Sequence, residues 1–137
     1  MNTSFTVTGG DFAHAGFASS QVKKMLKQLN VDPAVIKRVV VALYEAEVNI
    51  VAHAWQGTID VELEHDFIRM MLKDRGPGIP DIDKAMQRGY STASLKVREM
   101  GFGAGMGLAN IGDNADEFTI NSRVGEGTCL EIKILIP

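Results

Sequence analysis

The stretch VALYEAEVNIVAHAW, residues 41–55, is apolar enough for a buried helix yet carries two carboxylates, an amide and an imidazole. A buried polar group without a partner costs about 1–3 kcal/mol, so such groups are usually paired, exposed or functional. On a helix Glu45 and Asn49, four residues apart, lie on one face. Glu47 lies on another face, where we expect solvent or a partner. A functional polar edge at Glu45 and Asn49 is one interpretation, and a plain polar stripe is the other.

The bulk composition is that of an ordinary globular domain. The chain has 137 residues, 45% hydrophobic and 23% charged, with a net charge of −3, which fits one domain with its own core. The basic residues are scattered, so nothing suggests a nucleic-acid footprint. The apolar runs are too short for a membrane span. The N-terminus lacks the basic start and the apolar core of a signal peptide. We therefore expect a soluble cytoplasmic protein without a direct nucleic-acid or membrane partner, and Cys129 as a small core residue of a strand.

The hydrophobic pattern predicts an α+β fold, a two-layer α/β sandwich with helices on one face of a mixed, mostly antiparallel sheet. Asp32 and Pro33 predict a helix start, with Asp32 as the N-cap. Residues 89–104, rich in Gly, Ser and Thr, predict a long mobile loop. The predicted helices span 11–29, 33–55, 81–88 and 106–114, and the predicted strands span 4–8, 58–64, 67–73, 116–122 and 128–136.

The stretch LKDRGPGIP, residues 72–80, places a carboxylate and two glycines directly after an apolar strand. Asp74 can accept a hydrogen bond from an exocyclic amine there. Gly76 and Gly78 lack side chains, which lets a flat ring approach the backbone. A ring-binding loop and a simple Pro-Gly turn both remain open.

Two later glycine motifs have phosphate-binding and ligand-binding interpretations. In GFGAGMGLANIGDNA, residues 101–115, glycines lead into a helix start, where free amides and the helix dipole favour phosphate. A hinge is the alternative, and the two are compatible. The motif is neither a Walker A loop nor a good dinucleotide fingerprint. In GEGT, residues 125–128, Thr128 can place a hydroxyl beside a ligand, with a plain hairpin turn as the alternative.

Taken in this order, the four motifs resemble those of the GHKL ATPase superfamily. EAEVNIVAHA is similar to the N box, DRGPG to the G1 box, GFGAGMGL to the G2 box and GEGT to the last motif. YEAEVNIVAHA most resembles the stand-alone anti-sigma factor and switch-protein serine kinases of bacteria, and DRGPGIPDIDKAMQRGYST is similar to the branch that phosphorylates STAS-domain proteins. The resemblance implies a Bergerat-type fold in which residues 1–137 form one ATP-binding domain with a mobile lid at about 89–105.

The resemblance also implies roles for single residues. Glu45 would be the general base on the attacking hydroxyl, and Asn49 would coordinate Mg²⁺ on the ATP phosphates. Asp74 would bind the adenine amine with support from Thr128. The glycines that would shape the pocket or let the lid close are Gly76, Gly78, Gly103, Gly105 and Gly107.

The function that the resemblance implies is an Mg-ATP-dependent serine/threonine kinase of the anti-sigma factor type. Its expected partner is a STAS-domain antagonist, a sigma factor, or both. Two alternatives remain open, a non-catalytic interaction module gated by ATP and a small ATPase serving an unknown assembly. The exposed face of the predicted helix over residues 12–29 is the expected surface for a partner or for a homodimer.

Overall fold

The computed structural model describes residues 1–87 and 107–137. The described strands form one five-stranded sheet in the order β1-β2-β3-β5-β4, and each neighbouring pair is antiparallel. These strands are β1 (Asn2–Thr8), β2 (Gln56–Leu63), β3 (Phe67–Arg75), β4 (Glu117–Arg123) and β5 (Gly127–Leu135). The described helices are α1 (Phe17–Gln28), α2 (Pro33–His53), α3 (Ile82–Ala85) and α4 (Gly107–Asn114), with a 3₁₀ turn at Phe12–His14.

The main helices cover one face of the sheet. Helix α2 contacts α1, α4 and the strands beneath it. Alternate residues of β5 explain the layering, because Leu130, Ile132 and Ile134 are buried under the helices while Glu131 and Lys133 are not. The predicted α+β fold with helices on one face is confirmed, and the described pairings are all antiparallel.

Helix α2 is the centre of the core. Its start is set as predicted, since Asp32 accepts a hydrogen bond from Ala34 N at 2.8 Å and a proline occupies the first turn. Leu43, Ala46 and Ile50 from the stretch at residues 41–55 are 2% exposed or less. This burial explains why most of that stretch is apolar.

Two details of the sequence interpretation are wrong. The helix predicted over residues 11–29 begins only at Phe17, because Gly16 has a left-handed φ of 95° that separates α1 from the 3₁₀ turn. Cys129 is not a core residue. It is partly exposed on the open face of the sheet, paired in register with Lys73 and Asn121. The alternation of β5 sends its odd-numbered side chains away from the helices.

No helix in the described part of the chain has the length and apolar character needed to cross a membrane. The predicted lid at residues 89–105, with Gly103 and Gly105, lies outside the described residues.

Candidate functional site

The carboxylate of Glu45 lies where α2 meets the start of α4. Asn110 Nδ2 donates a hydrogen bond to Glu45 Oε1 at 3.2 Å. A side chain added at Gly107 would place its Cβ 3.3 Å from Glu45 Oε2. The part of the third motif that the structure describes, from Gly107 onward, therefore lies against the polar edge of α2.

Asn49 lies one turn beyond Glu45 on the same edge of α2. It is partly exposed between the buried residues Val48 and Ile50. Among the residues that the structure describes, no group of three or more His, Cys, Asp or Glu side chains is placed to hold a metal ion. The amide of Asn49 offers one oxygen of the kind that Mg²⁺ binds.

Asp74, near the end of β3, is held from the neighbouring strand. Thr128 N donates a hydrogen bond to Asp74 Oδ1 at 3.0 Å, while Oδ2 has no hydrogen bond to any described residue. Burial raises the pKa of Asp74 because it disfavours the charged form, and the Thr128 hydrogen bond lowers that pKa by a smaller amount. The site thus has a half-buried carboxylate with one oxygen left to accept a hydrogen bond.

The loop after Asp74 is locked to the turn between β4 and β5. Gly76 N donates to Glu126 O at 3.1 Å, and Gly125 N donates to Pro77 O at 2.8 Å. A Cβ at Gly76 would lie only 2.9 Å from Ala54 Cα, so the loop also packs on the C-cap residue of α2. These contacts join the second and fourth motifs to the C-terminal end of the helix that carries the first.

Two of the glycines have backbone positions that a side chain would disturb. Gly78 has a φ of 77°, and its Cβ would lie 2.4 Å from Arg123 O. Gly127 has a φ of 149°, and its Cβ would lie 2.1 Å from Asp74 O. Glycine is therefore required at both positions by backbone geometry as well as by space.

Ser122 is a site residue that the sequence reasoning missed. Its Oγ accepts a hydrogen bond from Ile79 N at 2.7 Å, lies 2.8 Å from Thr128 Oγ1 and donates to Gly127 O at 3.1 Å. The Thr128 hydroxyl is therefore engaged with Ser122, and Thr128 supports Asp74 through its backbone N–H. A serine in a strand has no local signal for such a role.

Asn110 is a second residue that was missed. It lies three positions after Gly107, so its side chain is on the same face of α4 as the helix start. Its contact with Glu45 depends on how α4 packs on α2, which no spacing within either motif reveals.

The interpretation of Glu47 as a residue facing solvent or a partner is wrong. Glu47 is only 2% exposed, and its two carboxylate oxygens accept hydrogen bonds from Ala18 N at 3.0 Å and Ser19 N at 3.1 Å. Those N–H groups belong to the first turn of α1, where backbone N–H groups have no acceptor within the helix. This turn also carries the positive end of the helix dipole. Glu47 therefore joins α1 to α2.

His53 is the last residue of α2. Burial lowers the pKa of its imidazole, because burial disfavours the protonated form.

The comparison with known proteins bears on the whole domain. Residues 11–134 match the family described as the histidine kinase-like ATPase domain. The chain belongs to this family. It is 36% identical over 126 residues to the serine/threonine-protein kinase RsbT of Bacillus subtilis, a match covering 89% of this chain and 86% of that protein. An anti-sigma F factor of Priestia megaterium is 28% identical over 140 residues, covering 97% and 90%.

The solved structures agree with the fold of this ATPase domain. The RsbU and RsbW domains of a Mycobacterium tuberculosis protein match with a TM-score of 0.61 at 17% identity, covering 97% of this chain and 32% of that one. At this identity the likeness bears on the fold alone. The family predicted from the four motifs is confirmed.

Proposed function

We propose that this ATPase-family domain is a regulatory kinase that transfers the γ-phosphoryl group of Mg-ATP to a serine or threonine of a protein partner in the cytoplasm. The observation that carries the proposal is the position of Glu45 against α4, where Asn110 Nδ2 donates to its carboxylate and a Cβ at Gly107 would lie 3.3 Å from Glu45 Oε2. It puts a carboxylate beside the glycine motif that resembles the G2 box, where the resemblance implies the phosphates. The family and the names of the relatives, a serine/threonine kinase and anti-sigma factors, bear out this class of function.

At one end of the proposed site, Asp74 would bind the adenine. Its Oδ1 is occupied by Thr128 N, so Oδ2 would accept the hydrogen bond from the exocyclic amine. The half-buried position limits competition from water. Gly76 and Gly78 keep the loop close to its neighbours, which would leave the flat base room against the backbone.

At the other end, the edge of α2 would meet the phosphates. Asn49 would offer its amide oxygen to Mg²⁺, which when bound neutralises phosphate charge. Glu45 and Ala54 are nine residues apart, about 13 Å along a helix, and Ala54 touches the Asp74 loop. This separation supports binding of an extended nucleotide along α2, with its base and phosphates at opposite ends.

The proposed reaction needs one proton acceptor. The partner's hydroxyl oxygen would bond to the γ-phosphorus as the bond to the β-phosphate oxygen breaks, releasing ADP. Glu45 would take the hydroxyl proton. We propose a STAS-domain protein as the acceptor, with sequestration of a sigma factor as a second use of the same protein.

The test is transfer of labelled phosphate from γ-labelled ATP to a candidate STAS-domain protein, with the product examined for phosphoserine. Glu45→Ala should abolish transfer while ATP binding persists, and Asp74→Asn should abolish ATP binding. Glu64→Ala and Asp83→Asn remove exposed acidic groups elsewhere and should change neither.

Other outcomes select the alternatives. Partner binding that needs ATP but survives Glu45→Ala, without transfer, selects the ATP-gated interaction module. ADP release without any protein acceptor selects the small ATPase. Absence of ATP binding by the intact chain contradicts all three.

A further inference from the structure

A basic groove lies between α1 and α2, away from Asp74. Its volume is about 510 Å³, within the range of ligand pockets. Its apolar lining includes Val31, Val40 and Val41, and three lysines line it as well. We call it the lysine groove, after Lys23, Lys27 and Lys37.

The three lysines have no acidic partner within residues 1–87 and 107–137. All three are exposed. The chain as a whole has a net charge of −3, so this concentration of positive charge is local. An apolar lining with unpaired cations around it favours a ligand that presents apolar groups in its centre and negative charges at its sides.

We propose that the lysine groove docks an acidic amphipathic helix of a partner protein. Such a helix would place apolar side chains on Val31, Val40 and Val41 and carboxylates beside the lysines, which is the helix-in-groove mode of recognition. A nucleic-acid backbone would leave the apolar lining unused, and a flat membrane surface would not enter a concave groove. A protein segment is therefore the occupant that fits both the charge and the shape.

The groove is continuous with the edge of α2 that carries the proposed base. Val41 lines the groove and precedes Glu45 by four residues, one helical turn or about 6 Å along the axis. A docked partner would therefore lie next to the site where its hydroxyl must arrive. Only this role, the delivery of the partner's hydroxyl, rests on the proposed function. Docking itself requires neither ATP nor phosphoryl transfer.

The probe is a fluorescent helical peptide of about 15 residues with leucines along one face and glutamates on the other. Its binding is measured by anisotropy, and its position is mapped by amide shifts in the ¹⁵N-labelled full chain. Lys23→Glu combined with Lys37→Glu should weaken binding at least about tenfold. Lys24→Glu combined with Lys73→Glu changes the net charge equally outside the groove and should stay within about twofold.

Two further peptides separate the contribution of the charges from that of the apolar side chains. One keeps the glutamates and replaces the leucines with serines, and the other keeps the leucines and replaces the glutamates with lysines. Neither should bind, and high salt should weaken binding of the original peptide. Unfolding in urea and ATP binding are measured for every variant, so that misfolding, failure of docking and failure of the proposed kinase function are told apart.

The proposal is supported if the acidic amphipathic peptide shifts the amide signals of residues around 23–41 and if only the variant with Lys23→Glu and Lys37→Glu loses peptide binding. It is overturned if that peptide does not bind, if both lysine pairs matter equally, or if the serine peptide binds as well. Stronger binding to anionic vesicles or to single-stranded DNA, with the same dependence on the groove lysines, also overturns it.

Discussion

Asn110 Nδ2 donates a hydrogen bond to Glu45 Oε1 at 3.2 Å, which ties α4 to the polar edge of α2. Asn114, one turn later on α4, donates its own amide to Asn110 O at 2.8 Å. The carboxylate proposed as the base is therefore oriented by the helix that follows the glycine motif. Any movement of the α4 start would move this contact with it.

Asn110→Ala should lower the rate of phosphoryl transfer more than it changes ATP affinity. A hydrogen bond to a charged group contributes about 1.5–3 kcal/mol, so we expect kcat to fall at least about tenfold with KM for ATP within about twofold. Steady-state kinetics measures both. Asn121→Ala, on the exposed face of β4, is the control. An equal loss of ATP affinity would contradict a role confined to positioning Glu45.

Glu47→Ala should destabilise the domain without touching the nucleotide site directly. It removes the acceptor of two backbone N–H groups at the start of α1, and we expect a loss of about 2–4 kcal/mol in the free energy of unfolding. Urea denaturation measures it. Glu47→Gln keeps one acceptor oxygen and should lose less. Glu64→Ala, an exposed glutamate, should stay within about 0.5 kcal/mol of the parent, and a similar small effect at Glu47 would contradict the capping role.

Gly127→Ala and Gly125→Ala form a matched pair within one turn. Both glycines have positive φ, but a Cβ at Gly125 meets nothing within 4 Å whereas one at Gly127 overlaps the backbone of Asp74. Gly125→Ala should cost about 1–2 kcal/mol of stability and leave ATP binding unchanged. Gly127→Ala should cost about 3 kcal/mol or more and weaken ATP binding by displacing Asp74. Calorimetric titration with ATP distinguishes the two, and equal behaviour would contradict the argument.

Asp74 should make both stability and ATP binding depend on pH. Burial raises its pKa above the usual 3.8, so the folded protein holds this proton more tightly than the unfolded chain does. The stability from this group is therefore present below about 3.8 and is lost as pH rises through the higher folded pKa. The free energy of unfolding of the parent, relative to Asp74→Asn, should fall across that window in urea titrations. A rise would contradict the direction of the shift.

ATP binding should respond in the opposite sense. The ionised carboxylate is the stronger acceptor for the adenine amine, so acidification through the folded pKa of Asp74 should weaken ATP affinity. Because that pKa is raised, the loss should begin at a higher pH than an ordinary aspartate would give. Titration of ATP affinity in the parent locates the midpoint. A midpoint at or below the usual aspartate value would contradict this prediction.

Local sequence patterns predicted most of the helices and strands, because the residues that start a helix or alternate along a strand lie within a few positions of each other. The start of α2 follows from Asp32 and Pro33, and the alternation of β5 follows from one strand. Helix α1 was predicted too long because Gly16 adopts a left-handed conformation that composition alone does not require. The prediction for Glu47 is wrong because it took this face of α2 to be exposed to solvent or a partner, whereas α1 covers that face.

Periodicity and capping predicted the fold class, and the resemblance of the four motifs indicated the family, because both depend on residues that are close together in the chain. The tertiary structure brings Asn110 to Glu45 and the first turn of α1 to Glu47, and it shows that Thr128 supports Asp74 through its backbone N–H while its hydroxyl meets Ser122. The contacts of Glu45 and Glu47 join residues 28 to 65 positions apart, so they depend on how helices and strands pack. Packing is a property of the whole core, and no spacing within a single motif encodes it.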